Sequence, residues 1–253
     1  MKPEQQIRDY YDALDDAWGP QHWWPAASRF EVIVGAYLTQ NTSWTNVEKA
    51  LANLRRARRL SVRGIRNASA PELERLIHSA GNFRQKTQRL KTFVAFLDRQ
   101  YGGSLPRMFS QPTAMLREQL LALHGVGPET ADSILLYAGN HPVFVVDAYT
   151  RRILERHGII QAKANYEEIR LLFERALARA GPWPSRRHVY GSSISSKARG
   201  SSHSPSRMST ADRSNQVQVL NEMHGLLVGV GKNYCLKSQM RCEQCPLQKF
   251  LPG

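Results

Sequence analysis

The sequence runs to 253 residues, enough to bury a real core in one larger domain or two modest ones. Its 42% hydrophobic and 9% aromatic residues exclude a disordered chain. Lys and Arg number 35 against 21 Asp and Glu, a net charge of +14 and a pI near 10.1, which favours a polyanionic partner, DNA or RNA by default. No stretch approaches the ~20 apolar residues that cross a bilayer, so no membrane partner is expected. The first residues, MKPEQQIRDYYDALDD, lack the apolar core of a secretion signal. Three cysteines, all at positions 235–245, make no disulfide framework. A reducing, cytoplasmic setting follows, with those cysteines read as metal ligands before a bridge.

Ile7, Tyr10, Tyr11 and Leu14 recur at three- and four-residue steps and predict an amphipathic first helix, broken at Gly19-Pro20. Trp23-Trp24-Pro25 follows; the two tryptophans either plug the joint between that helix and the body or offer a flat aromatic surface to a base. Residues 30–38 are almost wholly apolar and fit a buried helix or a strand. Thr39-Gln40-Asn41-Thr42-Ser43 interrupts them, with Thr42 or Ser43 capping a helix that begins at Trp44. This joint is either a capped turn or a place where Gln40 and Asn41 fill the hole left by an extruded base. Arg55, Arg56, Arg58, Arg59, Arg63 and Arg66 crowd together as a solvated helix end or a phosphate-contacting patch. Pro71 opens a further helix that stops at Gly81. Residues 83–101 form another, with Leu90, Phe93, Val94 and Leu97 on one face and Arg84, Lys86, Arg89 and Lys91 beside it, Lys86 being the candidate DNA contact. No alternating strand pattern appears, so the class is all-α.

The stretch LLALHGVGPETADSILLYAGNHPVFVVDAYTRR holds the chemistry. Two helical patterns meet at Gly125-Val126-Gly127, with Pro128 where a new helix tolerates it. Glycines there let a backbone come close to a ligand, and N–H groups at the positive end of the helix dipole suit a phosphate. The β-branched and aromatic run at 143–146 reads as a buried extended segment. Asp147 then opens a helix, either as an ordinary N-cap or as a carboxylate facing a developing positive charge.

LxxLHGVGPETA followed by VFVVDAYTRRIL resembles the helix–hairpin–helix DNA glycosylase superfamily, and FEVIVGAYLTQNTSWTNVEKAL resembles the early part of its endonuclease III branch. The resemblance implies an all-α, two-lobed fold. A helical barrel lobe would span 29–137, and a second lobe would comprise 1–28 with 138–253. A monomer would bind double-stranded DNA holding a damaged base in the cleft between lobes, in the nucleoid. By the same likeness Gly125, Val126 and Gly127 hold a DNA phosphate, Gln40 enters the gap in the duplex, and Asp147 is the catalytic carboxylate. Trp23-Trp24-Pro25 and GAYLTQNTSW look closest to the branch that excises 3-methyladenine, which would put Trp23 and Trp24 in the base pocket. An alkylated purine is cationic and already a good leaving group, and a cation–π term of about 1–2 kcal/mol would select it.

One departure bears on the reaction. Bifunctional members carry a lysine just after the hairpin that forms a Schiff base with the sugar; here that position is Glu129, which cannot form an imine. Monofunctional base excision is therefore expected, with AP lyase activity in doubt. The alternatives are a bifunctional endonuclease III-type glycosylase/AP lyase for oxidised pyrimidines, with a lysine such as Lys86 in that role, and a non-catalytic helix–hairpin–helix binder.

Residues 185–215 are rich in Ser, Arg and Gly with almost no apolar side chains, and read as a disordered insertion. Cys235-x6-Cys242-x2-Cys245 then resembles the endonuclease III cluster loop, whose fourth cysteine falls five residues further on, at Leu251 here. Three thiolates leave the usual [4Fe–4S] ligand set incomplete. The readings are a cluster with an exogenous or labile fourth ligand, a zinc site completed by a histidine such as His224, or a loop that folds without metal. A cluster would pin the basic residues Lys232, Lys237, Arg241 and Lys249 against DNA.

Overall fold

The computed structural model describes residues 2–178 and 204–252. Among them the protein is all-α: twelve α-helices with a few short 3₁₀ and π turns, and no strand beyond an isolated bridge between Cys235 and Met240. None of these helices is long and apolar enough to cross a membrane. Chain contacts divide it into two compact units, Met1–Pro25 with Pro142–Gly253, and Ala26–His141.

The Ala26–His141 unit is built on α2 (Arg29–Leu38), whose residues from Phe30 onward are all buried. The apolar run that fitted helix or strand is helix because Ser28 caps it, accepting from Glu31 N, while Glu31 Oε2 accepts from Ala27 N at 3.1 Å. Around it lie α3 (Trp44–Arg56), α4 (Val62–Asn67), α5 (Ala70–Leu76) and α6 (Phe83–Tyr101). Ser43 stands at the N-cap of α3 but makes no side-chain cap bond. The unit closes with α7 (Leu105–Phe109), α8 (Thr113–Leu121) and α9 (Pro128–Ser133), which runs on as a π-helical turn, Ile134–Ala138, packed on α2. A bidentate pair clips α8 to α9. Arg117 donates to Asp132 through Nε at 2.7 Å and Nη2 at 3.1 Å, and Asp132 is fully buried.

The arginine cluster after α3 is partly spent inside this unit. Arg55 pairs with Glu31, Arg59 with Glu72 at 2.7 Å, and Arg66 with Asp98 at 2.5 Å. The other three of the six, Arg56, Arg58 and Arg63, form no ion pair among the described residues and face solvent.

The other unit sets α1 (Pro3–Trp18) on α11 (Tyr166–Leu177), and α10 (Ala148–Arg156) on α12 (Asn215–Asn233). Helix α12 is buried almost throughout from Val217 to Gly231. The interhelical fit depends on its glycines: a Cβ at Gly231 would lie 2.3 Å from Tyr149 Cδ1, and one at Gly225 3.0 Å from Trp23 Cβ. Most of the Ser- and Arg-rich segment expected to be disordered, 185–203, lies outside the described residues. Residues 204–214 are described. Met208 and Ser209 are buried, Ser206 Oγ donates to Trp24 O at 3.3 Å, and Arg213 donates to Met208 O. One methionine and a net of hydroxyl bonds order a stretch whose composition offers little else to bury.

Candidate active site

The hairpin lies between α8 and α9. Gly125 takes φ +78°, and a Cβ there would meet Arg89 Nε at 2.1 Å, so only glycine admits the arginine beside the turn. Val126 is buried and its N donates to Leu123 O at 3.1 Å, anchoring the turn from within. A Cβ on Gly127 would meet nothing within 4 Å, so this backbone borders open space just before α9. Gln40 braces the hairpin. Its Nε2 donates to Gly125 O and Thr130 Oγ1, both at 3.0 Å, and its Oε1 accepts from Arg89. Both amide hydrogens and the oxygen expected to fill a gap in duplex are thus engaged within the protein. Asn41, beside it, is exposed with φ +54°.

Lys86 departs from expectation. Its side chain is 1% exposed, and Nζ donates to Leu38 O at 2.9 Å and Ala80 O at 2.7 Å. Burial, then the charge of Arg89, pulls its pKa down to about 8. The amine satisfies carbonyls at two helix ends and is buried, not on the surface where a DNA contact was expected. Glu129 stands exposed in the first turn of α9.

Asp147 caps α10, its Oδ1 accepting from Thr150 N at 2.7 Å. Its Oδ2 lies 3.6 Å from Nε2 of His224, a residue of α12 that is 5% exposed at its side chain. Burial alone would raise the pKa of Asp147. The His224 imidazole beside it and the Thr150 bonds outweigh it and hold the carboxyl below its usual range. The His224 ring sits 5.8 Å from Trp23 and 6.2 Å from Phe144, which stacks on Phe173 at 4.0 Å. Trp23 meets Trp24 edge to face at 5.6 Å, and Lys232 Nζ lies 5.9 Å from the Trp23 ring. Gly225 supplies the clearance for Trp23. An anionic carboxylate, an imidazole and an indole therefore occur in series. Both tryptophans are buried in this arrangement, at 8% and 7% exposure, rather than laid open as a flat surface.

Sequence reasoning named His224 only as a zinc ligand. It sits instead beside Asp147, and among the described residues no group of three His, Cys, Asp or Glu side chains is placed to hold a single metal ion. The signal that could have found it is the polar His224 embedded in the otherwise apolar run MHGLLVGV.

The three cysteines line one cavity of about 320 Å³ with Tyr234, Leu247 and Leu251 in its wall. That is well beyond the ~10–15 Å³ one water-sized occupant needs, and suits a group larger than an ion. Burial, then the neighbouring thiols, pushes the Cys245 thiol up. Three thiols and this volume fit an iron–sulfur cluster with one corner lacking a protein thiolate. Helix α10 is fastened to the loop. Arg152 donates to Cys235 O at 2.8 Å and Gly231 O at 3.1 Å, and Arg156 to Cys235 Sγ at 3.3 Å and Leu236 O at 2.7 Å. The cysteine loop thus bears on the helix that Asp147 caps.

A family model described as HhH-GPD superfamily base excision DNA repair protein matches residues 34–179. A putative DNA repair glycosylase of Methanocaldococcus jannaschii is 37% identical over 247 residues, 97% of this chain and 96% of its own. The chain belongs to the HhH-GPD superfamily of base excision repair DNA glycosylases. The endonuclease III-like protein 1 of Mus musculus is 26% identical to this glycosylase, over 98% of the chain and 69% of its own. The structure of an H. pylori 3-methyladenine DNA glycosylase bound to 1,N6-ethenoadenine superposes with a TM-score of 0.68 at 26% identity, over 92% of this glycosylase and 98% of that chain. A trapped endonuclease III–DNA covalent intermediate gives 0.70 at 21% identity, covering 99% and 96%, which is a likeness of fold.

Proposed function

We propose that this glycosylase is monofunctional. It hydrolyses the N-glycosidic bond of an alkylated purine flipped from duplex DNA and does not cut the strand. The observation that carries the reading is the Asp147–His224–Trp23 series in a chain with Glu129 after the hairpin. Likeness to the H. pylori enzyme supports the substrate class.

In this reading the bond from C1′ to the base nitrogen breaks heterolytically and its electron pair leaves with the purine. N-Alkylation has already made the base cationic, so departure needs no strong acid. Positive charge develops on the sugar as an oxocarbenium ion. Asp147, ionised and fixed by Thr150 N, faces that charge without reorganising, the kind of preorganised electrostatic stabilisation that contributes most in a water-poor site. A water polarised by the carboxylate then adds at C1′ and gives up its proton to Asp147, from which it passes to solvent. His224 is a positioning residue: it orients Oδ2 and keeps Asp147 anionic despite burial. Trp23, edge to face with Trp24 and buried beside His224, would supply an aromatic contact to a cationic base that enters this site. Gly125, Val126 and Gly127 present backbone to a phosphate, Gln40 holds that hairpin in shape, and Asn41 reaches toward the duplex. An iron–sulfur cluster held by Cys235, Cys242 and Cys245 would supply structural cohesion to the loop and α10, not bond-breaking chemistry.

The test is base release from duplexes carrying alkylated, deaminated or oxidised bases, using the native chain and Asp147→Asn. Release from the alkylated-purine duplex, at least a hundredfold slower in Asp147→Asn, is the expected result. Release confined to oxidised pyrimidines would return the substrate to the endonuclease III type, and no release from any duplex would leave a DNA-binding role alone.

A further inference from the structure

We infer that Cys235, Cys242 and Cys245 hold a site-differentiated [4Fe–4S] cluster, in which three irons carry protein thiolates and the fourth, at the Leu251 corner, carries an exchangeable water or hydroxide. The proposal is independent of which base the enzyme releases.

Three observations lead there. The thiols line a single cavity with Leu251, which stands at the spacing of a fourth ligand. Leucine has no donor atom, and at 36% exposure it leaves this corner within reach of solvent. His157 also lines the cavity, but Tyr10 Oη lies 2.6 Å from its Nδ1, so that nitrogen is engaged within the protein. Finally, Arg156 Nη1 donates to Cys235 Sγ at 3.3 Å, holding that sulfur in place in the cavity wall.

The chemical consequence is selective loss of one iron. A one-electron oxidant such as ferricyanide takes one electron from [4Fe–4S]2+, and the cluster becomes [3Fe–4S]+ as Fe2+ departs with its water ligand. Charge balances, and no protein thiolate–iron bond breaks. A cluster with four protein thiolates loses iron less readily, because a ligand must dissociate first.

The experiment reconstitutes the full chain with ferrous iron and sulfide under anaerobic conditions, then adds ferricyanide in small excess. Iron content, sulfide content and the EPR spectrum are measured before and after. The expected result is a fall from four irons to three per chain at constant sulfide, with the near-isotropic signal of an oxidised three-iron cluster. Ferrous iron plus dithionite then restores four. Leu251→Cys is expected to keep its iron under the same oxidant. Should that variant not fold, the loss and restoration in the native chain still decide the matter. Retention of all four irons by the native chain, a single bound zinc in place of a cluster, or no bound metal would each overturn the proposal.

Discussion

In the proposed reaction Asp147 has two demands to meet that normally conflict, since a carboxylate set against an oxocarbenium ion must be shielded from water and still carry its charge. The Thr150 amide at 2.7 Å and His224 at 3.6 Å resolve the conflict. Its folded pKa lies below the unfolded value of about 3.9. The stability it contributes is therefore present above pH ~4 and lost as pH falls through the lower folded value. A pH–rate profile of base release should show no acid limb from Asp147 above about pH 4. His224→Gln should slow single-turnover release by roughly tenfold, about 1.4 kcal/mol, with binding to abasic-site duplex unchanged; equal losses in both would make His224 merely structural. Lys86→Met should lower stability by about 1–3 kcal/mol, read as a shifted denaturant midpoint, because Leu38 O and Ala80 O lose their donor. At this scale sequence showed which residue types were present but not their direction. Gln40 and Lys86 were legible as polar side chains near a turn and a basic helix face, and both are engaged within the protein by partners 85 and 48 residues away. Spacing in a single chain carries no record of such pairs.

Helices were more readable than the bonds that join them. The spacing at 7–14, 83–101 and 115–123 matched α1, α6 and α8 because an amphipathic stripe is a local property. The choice between helix and strand at 30–38 was not legible, since an element buried all round loses its period. The Arg117–Asp132 clip was also hidden, with each partner an ordinary charge on its own helix. Asp132→Ala should cost about 3–5 kcal/mol in chemical denaturation, because it leaves a largely buried guanidinium without its partner. Gly231→Ala should cost about 1–3 kcal/mol, as a methyl would collide with Tyr149 across α10 and α12.

At the scale of the molecule, the excess of 14 positive charges is what the sequence showed first, and membership of a DNA repair superfamily accounts for it. Charge alone did not show which cations remain for DNA. Arg55, Arg59 and Arg66 neutralise Glu31, Glu72 and Asp98, while Arg56, Arg58 and Arg63 face solvent. Duplex affinity should fall log-linearly with salt, and alanine at Arg56, Arg58 and Arg63 should reduce the slope by about 0.9 for each phosphate that these side chains neutralise. An unchanged slope would remove these three arginines from the DNA interface. The central claim, base excision without strand cleavage, is tested most directly on one gel. A duplex end-labelled on the strand carrying a single alkylated purine is incubated with the enzyme and divided, half into hot alkali and half into neutral formamide at low temperature. With Glu129 where a lysine would form the imine, breaks should appear in the alkali half alone. Breaks of equal yield in the neutral half would contradict the account.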